Sequence, residues 1–329
     1  MNDHDLRFFM LLFAGFSTLF GACVGSFLNV CIYRIPRDES VVRPRSHCPH
    51  CGTLIPWHLN IPVLSWFCLR GRCASCKGPI AFRYTLVELL TAMLFLAVFM
   101  KWAAPAALSA VPIVQPLLIP VYWLFLGGLV LGTFVDFEHF IIPDSVTVGG
   151  MAAGLVLSAL VPEMHGQTAW WPALRESGAG LALGFGLLYA IGWLGTLAFK
   201  REAMGFGDVK LLGAIGAFLG WKAVLFTVFV SSLLGGVAGL LLLAFGGVRY
   251  RRPILERARR LARRTAPRPA TRLGQALRLL SLRYLFLRRW LGLIPFGPYI
   301  SLAAALWLFW SGPIIDRFLR FMAGGRPLW

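Results

Sequence analysis

Residues 8–33 read FFMLLFAGFSTLFGACVGSFLNVCIY and carry no charged side chain. A helix crossing the hydrocarbon core of a bilayer needs about 20 mainly apolar residues, so this run is long enough by itself. No small-residue cleavage site follows it. The run includes Asn29 and continues into a cysteine-rich stretch, so it reads as a retained helix and not as a signal peptide. Further apolar runs cover about 84–100, 113–135, 145–161, 177–199, 209–221, 223–247 and 299–315. The expected fold is all-α: a polytopic membrane protein with about eight transmembrane helices. The short sixth run is expected to reach only mid-membrane depth or to tilt into its neighbour. A mean hydropathy of +0.71, with 58% hydrophobic and 14% charged residues, excludes a soluble domain.

The net charge of +18 would suit nucleic-acid binding, but its distribution argues against that. Of the 32 lysines and arginines, 25 fall in four alternate loops: 31–84, 136–145, 199–210 and 248–290. Basic loops mark the cytoplasmic side, which places the amino terminus outside and these loops inside. Anionic lipid of the inner leaflet is the expected partner of this charge, and no nucleic acid is expected. The chain divides into a first membrane helix (1–33), a cytosolic cysteine-rich loop (34–83), a membrane core (84–247), a basic insertion (248–292) and a last helix with a short tail (293–329). Between Arg249 and Arg289 the insertion holds 14 arginines and the single acid Glu256. Leucines interspersed with arginines over 254–264 and 273–291 suit helices lying in the inner-leaflet interface. A disordered positive loop is the plainer alternative.

Two of the seven cysteines stand in CPHCG (48–52) and two in CASCKG (73–78), with 21 residues between the pairs. Paired CxxC motifs at this spacing point to a four-thiolate zinc site formed by Cys48, Cys51, Cys73 and Cys76, a zinc-ribbon-like loop. The glycine or lysine-glycine after each pair suits a tight knuckle. A site closed by four thiolates leaves no open position, so its expected role is structural. His47, His50 and His58 are superfluous to a complete tetrad. Cys23 and Cys31 read as packing residues of the first helix, and Cys68 as a spare thiol.

Two acids stand against apolar runs, where charge is costly. Asp208 lies in MGFGDVK (204–210), just before the sixth run; Asp136 closes the third. Counting helices puts both at the inner face, although they are 72 positions apart. Two carboxylates brought together there could activate a water. As a helix N-cap Asp208 would be unremarkable, but capping leaves Gly205 and Gly207 unexplained. Those glycines suit a sharp turn or a close approach of a substrate chain. An anion at a helix carboxyl end, as Asp136 is, opposes the macrodipole. Glu138, His139 and Asp144 read as supporting residues, Asp144 as an N-cap. Glu88 reads as a partner of Arg83 or as an interfacial acid. Gly21 with Gly25, and Gly235 with Gly239, suggest close helix packing.

Six stretches, in order, resemble the bacterial type IV prepilin peptidases of the GxGD class of intramembrane aspartyl proteases. They are GSFLNVCIYRIP (25–36), the two cysteine pairs, RYTLVELL (83–90), VDFEH (135–139) with IPD (142–144), GFGDVK (205–210) and PFGPY (295–299). The resemblance implies an enzyme of the bacterial inner membrane with its active site facing the cytoplasm. It would cut the leader from prepilins and pseudopilins after a glycine, usually before phenylalanine, and methylate the new amino terminus with S-adenosylmethionine. It makes Asp136 and Asp208 the catalytic pair, supported by Gly205, Gly207 and Lys210, and connects Gly71 and Arg72 with methylation. Glu138 stands where the family often has aspartate, and residues 248–292 are longer than in many relatives. Two other readings stand beside it. One is a preflagellin- or presenilin-like protease without methylation; the other is a transporter or scaffold with a zinc-stabilised loop.

Overall fold

A computed structural model describes residues 3–103, 116–200, 204–249 and 295–322. The apolar runs form helices because lipid offers no partner for backbone polar groups, which must then bond within the segment. In chain order these are α1 (Asp3–Arg34), α2 (Leu64–Cys68), α3 (Arg83–Trp102), α4 (Leu118–His139), α5 (Asp144–Leu160), α6 (Trp170–Phe199), α7 (Phe206–Arg249) and α8 (Gly297–Met322). Among the described residues there is no strand, only isolated bridges in the cysteine loop. Five helices (α1, α3, α4, α6 and α7) are long and apolar enough to cross a membrane, while α5 is shorter. The eight expected runs fall in seven helices, because the sixth and seventh are the two halves of α7. The basic insertion lies outside the described residues.

The central helix is α4. Leu126 and Leu129 join Leu212, Ile215, Phe218 and Ile300 in one buried cluster. Val130 and Val135 join Leu28, Ile32 and Val87 in a second, which seats α1 and α3 beside α4. Glycines set the closest crossings. A Cβ on Gly25 would stand 2.7 Å from the Glu88 Cα, as the Gly21/Gly25 pattern predicts for α1 on α3. Gly235 lies under the Phe296 ring, but Gly239 has no neighbour within 4 Å. The tightest crossing joins α6 to α7, where a Cβ on Gly180 would stand 2.8 Å from the Gly216 carbonyl carbon and one on Gly184 2.9 Å from that of Leu212. Small residues let backbones meet in this way.

Within α7 the break falls at Gly220, whose φ of 79° and ψ of 175° are non-helical. Glycine adopts a positive φ without steric penalty. The break removes helical donors from the preceding turn, and the Ala217 carbonyl is met from outside by the Ser177 hydroxyl at 2.7 Å and by His165. A second orphan lies in α8. Pro313 has no N–H for the Phe309 carbonyl, and the Lys101 ammonium donates to that carbonyl and to Leu308.

His165 belongs to the turn between α5 and α6. Burial pushes it down to about 4, partly opposed by its bond to Ala217. The unfolded chain takes up this proton below about pH 6.5, whereas the folded one refuses it until about pH 4. Stability is therefore expected to fall as pH drops through that window, by up to about 3 kcal/mol. Melting curves in detergent at several pH values measure this. His165→Gln should flatten the dependence, and an unchanged slope would contradict the assignment.

Candidate active site

Asp136 sits on the last turn of α4 and is buried, with 6% of its surface exposed. The helix ends at Phe140, which takes a left-handed conformation and donates its N–H to the Asp136 carbonyl at 3.0 Å. The chain then turns through Ile142 and Pro143 into α5. Asp208 stands in the first turn of α7 at the same end of the bundle and is half-buried. Its carboxylate feels the charge of Asp136. Helix counting placed these two acids together, and the described structure brings them into electrostatic contact.

Ile142 packs against the glycines beside both acids. A Cβ on Gly207 would come within 3.3 Å of the Ile142 Cβ, and one on Gly297 within 3.1 Å of its Cδ1. Neither Gly205 nor Gly207 has a positive φ, and the chain turns into α7 with the Asp208 N–H bonded to the Gly205 carbonyl at 3.2 Å. Gly207 serves close approach to Ile142, while Gly205 leaves its Cβ position 3.6 Å from the Asp208 carboxylate.

The third contributor is a backbone amide. Gly297, the first residue of α8, donates its N–H to Asp136 Oδ2 at 3.0 Å, and a Cβ there would stand 2.6 Å from the same oxygen. This amide lies at the amino end of a helix, where donors are free and the dipole favours an anion. Sequence reasoning quoted residues 295–299 without giving them this task. A backbone donor has no side-chain signature; the only signal was a glycine followed by Pro298, with Pro295 two positions before it.

The neighbouring acids are engaged elsewhere. Asp144 does not cap α5, whose cap position is Pro143; it pairs with Lys210 at 2.7 Å and contacts the Thr147 hydroxyl at 3.5 Å. Lys210 also lies over the Phe206 ring, so it ties the start of α7 to that of α5 and is not bonded to the two acids. Glu138 pairs with Arg83, which leaves Glu88 to accept the Val63 N–H at 2.7 Å. Of the acids at this end, Asp136 and Asp208 have no basic partner among the described residues.

The cysteine loop contains two similar knuckles. The Cys48 N–H bonds the Thr53 carbonyl at 2.9 Å and the Cys73 N–H that of Gly78 at 2.8 Å. Gly52 bonds back to Cys48 and Lys77 to Cys73, each with a positive φ. The sulfurs of Cys48, Cys51, Cys73 and Cys76 lie within 4.8 Å of one another, and those of Cys48 and Cys76 are 3.8 Å apart. Tetrahedral zinc with bonds of about 2.3 Å needs sulfurs about 3.8 Å apart, so the four fit that metal. The Thr53 hydroxyl and amide draw Cys51 down to about 6, toward the thiolate that a metal requires. His50 is not among the clustered ligands; its ring packs where a Gly78 side chain would stand. Gly71 has a φ of +67° and lies beneath the Trp66 indole, which bonds the Ile80 carbonyl.

Comparison with known proteins agrees with this arrangement. Residues 19–102 match the model of the bacterial peptidase A24 N-terminal domain, and residues 123–240 that of the type IV leader peptidase family. A prepilin leader peptidase/N-methyltransferase from Myxococcus xanthus is 42% identical over 73% of this chain and 66% of its own length. One from Aeromonas hydrophila is 32% identical over 92% of both chains. No solved structure matches. With a relative aligned over nearly its whole length, and family models spanning both the cysteine loop and the two acids, this multi-pass membrane protein belongs to the type IV leader peptidase family.

Proposed function

We propose that this enzyme removes the leader of prepilins and pseudopilins after a glycine, usually before phenylalanine, and N-methylates the amino terminus it exposes. The carrying observation is the juxtaposition of Asp136 and Asp208, two unpaired carboxylates at one end of the bundle, with the Gly297 amide on one oxygen of Asp136. Like charges that act on each other favour a state in which the pair holds one proton. The ionised member accepts a proton from water as it attacks the scissile carbonyl, and the protonated member donates to the carbonyl oxygen. The proton then passes to the leaving amine as the C–N bond breaks. Gly297 holds Asp136 in place, Gly207 admits Ile142 between the helix ends, and Lys210 anchors α7 through Asp144. Reconstitution with a full-length prepilin in vesicles tests the reading: a leader-free product supports it and an intact substrate refutes it.

The four cysteines are proposed to hold structural zinc, which supplies cross-linking to a loop built only of short helical turns and isolated bridges. One zinc per chain is expected, and Cys73→Ser should release it and expose the loop to protease. Protein purified without chelator and lacking zinc would contradict this.

Methylation needs S-adenosylmethionine, whose sulfonium carries the methyl group to the amine. A half-open cavity of about 380 Å³ between α1 and the cysteine loop suits a ligand of that size. Ser26, Phe27, Arg45 and Asn60 are among its walls. Arg34 shapes it by donating to the carbonyls of Ser40 and Pro44 at 2.8 and 2.7 Å. Gly71 and Arg72 lie on the second knuckle and do not line the cavity, so their proposed part is to position the loop. S-adenosylhomocysteine should bind the purified protein, and Phe27→Ala should weaken that binding at least about fivefold. Unchanged binding would move the donor elsewhere. Arg72→Ala should impair methylation more than cleavage, and equal loss of both would reassign it to folding.

The enzyme is placed in the bacterial inner membrane with the cysteine loop and dyad facing the cytoplasm. The support is the bias of lysine and arginine toward alternate loops. By the same charge, residues 248–292 are proposed to meet anionic inner-leaflet lipid.

A further inference from the structure

We infer that the cavity bounded by Leu212, Phe296 and Ile300 receives the side chain of the substrate residue immediately after the scissile bond. The inference rests on the proposed peptidase reading. The cavity measures about 70 Å³ and lies between α6, α7 and the start of α8, with Leu188, Met204 and Val228 completing its mainly apolar wall. Protein interiors keep few voids larger than a water molecule, and an unfilled apolar one weakens the fold. Water would find few partners here. Ser231, one of the two serines in the wall, gives its hydroxyl to the Val228 carbonyl at 3.3 Å.

Position identifies the occupant. Leu212 follows Asp208 by four residues, on the same face of α7 and one turn deeper. Phe296 immediately precedes Gly297, whose amide holds Asp136. Two walls of the cavity thus continue from the two acids. A peptide presenting its scissile carbonyl to the pair has one flanking side chain to lodge there, because the residue before the cut is glycine. An aliphatic branch suits the present volume. An aromatic ring needs more room, which the unbranched Met204 side chain can give by swinging aside.

Three synthetic substrates differing only in the residue after the cut, leucine, alanine or phenylalanine, test the inference. The unaltered enzyme should favour leucine about 10- to 100-fold in kcat/KM. Val228→Phe fills the cavity and should reduce that preference at least about tenfold. Ile300→Ala enlarges it and should raise phenylalanine relative to leucine. Each preference is a ratio within one preparation, so loss of folded enzyme cancels. Unchanged ratios in both variants would overturn the inference while leaving the peptidase intact. Cleavage of no substrate by the unaltered enzyme would overturn the peptidase reading itself, and this inference with it.

Discussion

Asp208→Asn and Asp136→Asn are each expected to lower kcat for leader cleavage by at least about a thousandfold. An amide has nearly the volume of a carboxyl group, so helix packing survives, but it cannot accept the proton of the attacking water. Neither acid has a basic partner among the described residues, so neither substitution strands a buried cation. Gly297→Ala should produce a smaller loss, because its methyl group would stand 2.6 Å from Asp136 Oδ2 and push the carboxylate off line. Asp144→Asn is the comparison, since it loosens the anchor of α7 without touching either acid of the pair. It removes an exposed ion pair with Lys210, an interaction worth less than about 1 kcal/mol, and should retain most cleavage. Single-turnover cleavage in detergent measures all four. Substantial activity in either dyad variant would remove that residue from the chemistry.

The second large effect is on folding. Gly180→Val places a side chain 2.8 Å from the Gly216 carbonyl carbon, and the obstacle is backbone in a neighbouring helix, which cannot rotate away as a side chain could. Destabilisation of about 3 kcal/mol or more is expected, beyond the usual range for a point change. Because this crossing carries the half of α7 that begins with Asp208, cleavage should fall with it. Gly186→Val, on the same helix but with nothing within 4 Å of its Cβ position, should melt like the unaltered protein. Equal melting temperatures for the two variants would show that the crossing is looser than described.

Features with a local cause were legible in the sequence. The cysteine knuckles could be read because each CxxC closes its own hydrogen bonds within six residues. That Asp136 and Asp208 share one face followed from counting helices, since a membrane sorts helix ends between two faces. What escaped depends on which surfaces meet. Glycine spacing marked Gly21 and Gly25 correctly, whereas the Cβ position of Gly239 meets no described atom within 4 Å, and spacing passed over Gly180 and Gly216. Spacing shows that a helix can be approached, not which neighbour approaches it. The runs 209–221 and 223–247 read as two separate helices, whereas they are one helix broken at Gly220, where the backbone can turn. Lys101, bonded to carbonyls more than 200 residues away, left no trace in pattern or composition, and the motif at 295–299 gave no sign that the Gly297 amide is what it contributes.

The most direct test of the account is the intact mass of the products when purified enzyme, S-adenosylmethionine and a synthetic prepilin peptide are incubated together. The expected result is a leader ending in glycine and a mature fragment heavier by one methyl group, with no methyl added to uncut peptide. Omitting the methyl donor should leave cleavage unchanged and remove only the added mass. A substrate that keeps its leader, in a preparation whose helices and zinc are intact, would contradict the central claim that Asp136 and Asp208 hydrolyse this bond.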